Sequence, residues 1–323
     1  MMKNKGFFQK ASLEARLSHP VISAFEFESM KDIKEFQEII KSSSIYIISQ
    51  RPLLKIKNII YVENEDNNSH EIHFEIYDES QNTPLKCFIE FDTKECLNND
   101  EAQVRRYYFD REDMLTESDD NIAAIELLDK YGERVFYLTP QRFFYHHFKK
   151  QMASRITGDY NKFIDYEVHY IGQSFDQEIW QRLTGHEKLQ RIMTLERPLD
   201  TILPHSPFEI SLMLLSVNSL EVASIIDGSG MFEDETKRPI FHNFTDFNRM
   251  HDLGKIGREH TNEFEAGLIK ILKPAYNKIL FKGYPFIKSG LRSLGYSESE
   301  LVITDFPAIM YTKHAVLPAI FTQ

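Results

Sequence analysis

The residues best suited to chemistry lie in the second half of the sequence. Tyr170 belongs to an alternating segment, and Arg182 and His186 follow it four residues apart. Glu265 and Asn277 come much later in the chain. A phenol, a guanidinium, an imidazole and a carboxylate can respectively orient water, neutralise an oxyanion, move a proton and hold a divalent cation. We therefore treat this set as a candidate hydrolytic site.

Two predicted elements position the first part of this set. Residues 166–173 alternate in polarity like a half-buried strand and end beside a glycine. Ser174 opens a capping-box pattern, which predicts one helix over residues 174–195. Because Arg182 and His186 are four residues apart, such a helix would place them on the same face.

A later predicted helix positions Glu265. Residues 208–217 are apolar and partly β-branched, which is typical of a central strand. Asn262 is predicted to cap the helix that follows, and Glu265 then lies on the same side as Leu268. A carboxylate there would be partly buried, which costs free energy unless a cation or a donor meets it. The alternative is that Glu265 is only the third residue of a capping box with Asn262.

The first 150 residues predict a β-rich region without recognisable chemistry. Ile, Phe and Tyr content with partial alternation predicts strands over residues 44–50, 56–62, 70–78 and 85–91. Amphipathic spacing and a cap at Thr139 predict helices over residues 31–41, 119–130 and 140–150.

The motifs of the second half resemble those of the GIY-YIG nuclease superfamily. Tyr170-Ile171-Gly172 is similar to the second half of its signature, and Arg182 and His186 fit the Arg-xxx-His of its first helix. The segment from Glu265 to Asn277, continuing to Tyr284-Pro285, is similar to the distal part of the nuclease module in bacterial excision-repair incision subunits. The resemblance covers roughly residues 155–195, 207–217 and 260–285.

The chain departs from the family pattern at two places. The first half of the signature is expected at Gly158-Asp159-Tyr160, where aspartate replaces the usual apolar residue. An insertion of about forty residues, 219–259, separates the third expected strand from the glutamate helix. Insertions of this kind fall in loops and can carry target recognition.

The resemblance implies a role for each polar side chain. Glu265 is expected to hold one Mg²⁺ or Mn²⁺ ion, and Arg182 to place positive charge against the transition state. Tyr170, alone or paired with Tyr160, is expected to orient or deprotonate the attacking water, and His186 to relay or position the proton. Asn277 is expected to orient the substrate or to brace the glutamate. Substrate contacts are expected from Gly172, Ser174, Lys270, Lys273 and Lys278.

The resemblance also completes the expected architecture. We expect an α+β protein in which residues 1–152 form a mixed β-rich domain of unknown role. Residues 153–295 are expected to form a GIY-YIG-like α/β sandwich with a central antiparallel sheet, interrupted by the insertion. Residues 296–323 are expected to be a C-terminal extension.

Charge and hydropathy limit the partners. A net charge of −11 argues against nonspecific coating of nucleic acid. Two stretches without Asp or Glu, 134–158 and 266–297, nevertheless carry several Lys and Arg residues beside the candidate site. We expect a cytoplasmic protein that acts on DNA, with RNA as the alternative, and without a membrane partner. The oligomeric state is open, and a homodimer is one arrangement compatible with the sequence.

Two other functions compete with nuclease activity. His251-Asp252 resembles the metal-binding pair of HD-type phosphohydrolases, a fold that requires helices around the pair. A binding module that keeps the fold without turnover is the second alternative, because fold resemblance does not establish catalysis.

Overall fold

The computed structural model describes residues 7–64, 69–78, 83–92, 103–196, 208–226 and 257–321. Within these ranges the chain forms a larger sheet of eight strands and a smaller sheet of seven. The larger sheet runs in the order β13-β1-β12-β3-β11-β14-β15, and β2 pairs with β12. Its strands are β1 (Phe7–Leu17), β2 (Ile22–Ser23), β3 (Ile45–Pro52), β11 (Asp165–Gln173), β12 (Phe208–Ile226), β13 (Glu298–Ile303), β14 (Ile309–Tyr311) and β15 (Val316–Leu317).

The smaller sheet contains three of the four strands predicted in the first half of the chain and four further ones, while the predicted strand at 44–50 is β3 of the larger sheet. It runs in the order β10-β6-β5-β4-β8-β7, and β9 pairs with β8. Its strands are β4 (Lys55–Asn64), β5 (Ser69–Tyr77), β6 (Leu85–Asp92), β7 (Gln103–Tyr108), β8 (Ile122–Leu128), β9 (Arg134–Leu138) and β10 (Ser154–Thr157). The mixed α+β class is therefore confirmed.

Helices cover both sheets. Thr139 caps one of them by accepting a hydrogen bond from the Arg142 N–H at 3.3 Å, as its sequence signal predicts. The predicted helix over 119–130 is wrong, because this segment forms β8 between two other strands and tertiary pairing overrides its helical propensity. The helices are α1 (Ala24–Met30), α2 (Lys34–Ile40), α3 (Arg111–Thr116), α4 (Pro140–Phe148), α5 (Ile179–Leu183), α6 (Glu187–Leu195) and α7 (Arg258–Leu272).

The predicted domain boundaries do not match the sheets. β3 lies before residue 152 but forms the middle of the larger sheet, between β12 and β11. β13 and β14, in the predicted C-terminal extension, also join this sheet through β1 and β11. The smaller sheet is thus placed in sequence between two neighbouring strands of the larger one. Pairing between residues so far apart is invisible to local patterns, because nothing in a strand's own sequence names its partner.

Alternate residues of β3 face two different layers. Ile45 and Ile47 pack in a core with Phe264 and Leu268 of α7. Tyr46 packs on the opposite face, in a core with side chains of α1, α2, α5 and α6. Because both faces are covered, β3 is buried along almost its whole length. In the described part of the chain, no helix has the length and apolar composition needed to cross a membrane.

Candidate functional site

Two tyrosines from neighbouring strands meet over a glycine. Tyr46 of β3 lies directly opposite Gly172 of β11 in the antiparallel pair. A Cβ atom on Gly172 would lie 2.5 Å from the Tyr46 ring carbon Cζ and 2.8 Å from Cε1 of Tyr170. Such distances are sterically forbidden, so the absence of a side chain at Gly172 allows both rings to occupy this place. Gly172 therefore shapes the site, and it has no side chain to contact a substrate.

A β-bulge turns Tyr170 toward Tyr46. The register of β11 on β3 shifts between Val168 and Tyr170, which leaves His169 as the extra residue. Without a bulge, Val168 and Tyr170 would share one face of the sheet, because strand side chains alternate with a period of two. The Val168 side chain instead packs in the core on one face of the sheet, and the Tyr170 side chain packs against the core on the other face. There the Tyr170 and Tyr46 ring centroids are 6.0 Å apart. His169 is held by a 2.9 Å hydrogen bond between its Nε2 and Oε1 of Gln50.

The predicted single helix over 174–195 is instead two short helices, α5 and α6. The helical conformation is interrupted at Gly185, whose φ of +70° lies in the left-handed region that glycine adopts without strain. His186 follows as the N-cap of α6, and its Nδ1 accepts a hydrogen bond from the Leu189 N–H at 3.2 Å. Arg182 lies in the last turn of α5. The two residues therefore approach the site from different helices and not from one helical face.

The cap fixes the tautomer of His186. Since Nδ1 accepts from a backbone N–H, the neutral ring carries its proton on Nε2. Nε2 lies 2.8 Å from the Tyr46 hydroxyl oxygen and donates to it. Burial, reinforced by the nearby Arg182 charge, lowers the pKa of His186 to about 4. At neutral pH the imidazole is therefore an uncharged donor to Tyr46.

Both phenols remain protonated at neutral pH in this environment. Burial raises the pKa of Tyr46 well above its usual value, and the neighbouring Tyr170 raises it further. Burial also raises the pKa of Tyr170, and the Glu265 carboxylate raises it further, while the Tyr46 hydroxyl and the positive charge of Arg182 act in the opposite direction. Of the two phenols, Tyr170 is consequently the easier one to deprotonate.

Glu265 completes the cluster from α7. The helix begins at Arg258 with Gly257 as its N-cap, so Asn262 is not the cap and the capping-box alternative for Glu265 is wrong. Burial raises the pKa of the Glu265 carboxyl to about 7, although the Arg182 charge acts in the opposite direction. No described residue donates a hydrogen bond or forms an ion pair with it. The cleft in front of this carboxylate is lined by Asn262, Phe281, Gly283, Phe286, Ile287, Lys288 and Ser289.

Asn277 holds strand β11 and does not brace Glu265. Its Oδ1 accepts from the Ile171 N–H at 3.0 Å, and its Nδ2 donates to the Ile171 carbonyl at 2.8 Å. The neighbouring Tyr276 N–H donates to the His169 carbonyl at 3.0 Å. These bonds satisfy the free edge of β11 beside Tyr170, so both polar atoms of Asn277 are used in positioning the strand.

The other residues predicted to contact substrate lie in different surroundings. Ser174 is buried and donates to the Ser43 carbonyl at 3.3 Å, while the Lys270 ammonium donates to the Lys282 carbonyl at 3.1 Å. Lys273 is the left-handed C-cap of α7. Only Lys278 reaches a pocket beside the site. That pocket is lined by Lys188, Arg191, Glu196, Ala275, Tyr276, Asn277 and Lys278.

The structure places Tyr160 away from this cluster. Its ring packs against Phe148 and Phe321, with centroids 4.9 and 6.2 Å away, in the core of the smaller sheet. Tyr46 occupies the position beside Tyr170 that the sequence interpretation gave to Tyr160. The sequence correctly predicts a strand around Tyr46, but it does not show that this strand pairs with β11, which lies more than a hundred residues later in the chain.

The competing metal motif cannot be placed, because His251 and Asp252 lie outside the described residues. Nor does the described part of the chain bring three His, Cys, Asp or Glu side chains together as a metal-ligand group. Glu265 alone is still compatible with a hard divalent cation, since Mg²⁺ is often held by one carboxylate together with water and substrate phosphate. No model of a protein family matches the chain, and no curated protein or solved structure matches it.

Proposed function

We propose that this protein is a metal-dependent endonuclease of the GIY-YIG type that hydrolyses phosphodiester bonds in DNA, with RNA as the alternative substrate. The observation that carries the proposal is the convergence of Tyr46, Tyr170, Arg182, His186 and Glu265 from five separate elements. In this proposal Ser44-Ile45-Tyr46 takes the place of Gly158-Asp159-Tyr160 as the first half of the signature, with serine where the family has its first glycine.

The carboxylate is suited to a divalent cation. Glu265 is partly buried, has a pKa raised to about 7 and has no donor among the described residues. A buried carboxylate left in this condition is costly until a cation or donor meets it. When bound, Mg²⁺ or Mn²⁺ would polarise the scissile phosphate and neutralise charge on the leaving oxygen.

The remaining residues would position the water and the phosphate. The Tyr170 oxygen would accept a hydrogen bond from the attacking water, and the Arg182 charge opposes the increase in the Tyr170 pKa that burial and the Glu265 carboxylate cause. His186 donates to the Tyr46 hydroxyl, and the Tyr46 ring lies beside that of Tyr170 with centroids 6.0 Å apart, so the two phenols are held next to each other. The Arg182 guanidinium would also stabilise charge that develops on the phosphate oxygens.

The pocket beside the site supports a polyanionic substrate. Lys188, Arg191 and Lys278 line it together with one carboxylate, that of Glu196, which accepts from Tyr276 at 2.5 Å. Lys188 is itself paired with Glu187 at 3.2 Å, so Arg191 and Lys278 are the cations of the pocket that favour a phosphate group there, in spite of the negative net charge of the chain.

The test is cleavage of supercoiled, linear and single-stranded DNA, and of RNA, in Mg²⁺ and in EDTA. We expect metal-dependent cleavage by the wild-type protein and a loss of about 10³-fold in Glu265→Gln. Glu259→Gln, on the first turn of the same helix, is the matched control and should retain activity. Equal activity of the two variants, or no cleavage of any substrate by the wild-type protein, would contradict the proposal.

A further inference from the structure

The wall of the cleft opposite Glu265 carries an exposed aromatic ring. Phe286 is 79% exposed, although it lines the same cleft as the carboxylate. Phe281 and Ile287 extend the apolar wall, and Lys288 adds a positive charge beside it. The cleft therefore combines an anionic group, an apolar aromatic face and a cation within one small space.

The loop that carries Phe286 is fixed to α7. At one end, Nδ2 of Asn262 donates to the Ser289 carbonyl at 3.0 Å. At the other end, the Lys270 ammonium donates to the Lys282 carbonyl at 3.1 Å. Inside the loop, the Phe286 N–H donates to the Gly283 carbonyl at 2.9 Å. Because Glu265 lies on α7 between Asn262 and Lys270, these bonds tie the position of the ring to that of the carboxylate.

On the basis of the proposed nuclease function, we propose that Phe286 stacks on an unpaired nucleobase next to the phosphate that is cleaved. Stacking on an aromatic face is available to every base, and it requires a base that is not already stacked in a duplex. The ring is free of intramolecular aromatic contacts among the described residues, while the carboxylate beside it would hold the cation on the phosphate. The substrate is thus a single strand, or a duplex with an unpaired base at the cleavage position.

Binding of a labelled single-stranded oligonucleotide tests this proposal without cleavage. The measurement is fluorescence anisotropy with the Glu265→Gln protein, compared with the same protein carrying a second substitution at residue 286. We expect Phe286→Ala to weaken binding about tenfold and Phe286→Trp, which keeps an aromatic face, to stay within about twofold. Phe25→Ala is the matched control, because Phe25 is 85% exposed on α1 and should leave the affinity unchanged.

A second series locates the base. Each oligonucleotide carries one abasic residue, placed at a different position. At one of these positions the abasic residue should weaken binding about tenfold to the Glu265→Gln protein, which is the parent protein of the series, but not to the same protein with Phe286→Ala. If the Ala, Trp and parent proteins bind equally, or if Trp binds as poorly as Ala, stacking is wrong while the nuclease proposal stands. If the wild-type protein neither binds nor cleaves any oligonucleotide, the nuclease proposal and the stacking proposal are both overturned.

Discussion

Glu126 in the smaller sheet and Glu265 beside the larger sheet are carboxylates with opposite surroundings. Glu126 of the smaller sheet has a side chain only 2% exposed, yet it accepts hydrogen bonds from Tyr107 at 2.7 Å and from Arg105 at 3.1 Å, with Arg134 as a third donor. Burial alone would raise the pKa of Glu126, but these donors outweigh it and the pKa lies below its usual value. Glu265 beside the larger sheet has no such donors among the residues that the structure describes, and its pKa is raised to about 7.

The difference separates a structural charge from a functional one. A carboxylate with three donors gains little from a further cation, whereas a carboxylate without donors has a site free for one. The same contrast holds for the tyrosines. Tyr160 packs in an aromatic core of the smaller sheet, while Tyr46 receives a hydrogen bond from His186.

After the loss expected for Glu265→Gln, the largest expected effect distinguishes the two tyrosines. Removing the Tyr46 hydroxyl deprives His186 of its acceptor and takes a polar group from beside Tyr170, so Tyr46→Phe should lower kcat for cleavage about 10²-fold. Tyr160→Phe should leave kcat within about twofold, since its ring makes only packing contacts here. Steady-state kinetics on both variants provides the measurement. An equal loss of kcat in Tyr46→Phe and Tyr160→Phe would show that the two tyrosines do not differ in function.

Stability should separate the two carboxylates. The folded-state pKa of Glu265 is raised, so the unfolded chain binds fewer protons between pH 4.5 and about 7, and stability falls as pH rises through that range. Without metal at pH 8, Glu265→Gln should therefore be more stable than the wild-type protein by about 2 kcal/mol. Glu126→Gln should be less stable by about 2 kcal/mol, because it leaves buried donors poorly paired.

Urea unfolding at pH 5 and pH 8 measures both effects. The Glu265→Gln difference should shrink to less than about 1 kcal/mol at pH 5, where the wild-type carboxyl is protonated in the folded state and the pH is close to its unfolded-state pKa. A variant of Glu265 that is destabilised at both values would show that this carboxylate has a structural role like that of Glu126.

Asn277 should matter for stability and activity together. Asn277→Ala leaves the N–H and carbonyl of buried Ile171 without their partner, which costs about 2 kcal/mol. Asn262→Ala is the matched control: it removes bonds to exposed Ser289 and should cost about 0.5 kcal/mol in the same unfolding assay.

The smallest expected effect is the pH response of His186. Its folded-state pKa is lowered to about 4, so the stability it contributes is complete above about pH 6.5 and is lost as pH falls toward 4. His186→Asn keeps an acceptor for the α6 cap and should remove about 1 kcal/mol of the decline between pH 7 and pH 5.5. Unchanged pH dependence in this variant would show that another group titrates in the range.

Local signals predicted individual elements well. The strand at 166–173 and the Thr139 cap were found because alternation and capping are properties of neighbouring residues. The helix over 174–195 was wrong where Gly185 breaks it, and β8 was mistaken for a helix because pairing on both sides decided its conformation. The bulge at His169, which turns the Tyr170 side chain toward the site, is not indicated by any local sequence pattern.

The sequence by itself determined which residue types were available for chemistry and the spacings of Arg182, His186, Glu265 and Asn277. Only the tertiary structure decided that β3 pairs with β11, and therefore that Tyr46 joins Tyr170 while Tyr160 does not. It also decided that Asn277 holds a strand and that Glu265 has no donor among the described residues. The physical reason is that hydrogen-bond pairing and burial depend on contacts between distant segments, whereas a sequence pattern records only the preferences of near neighbours.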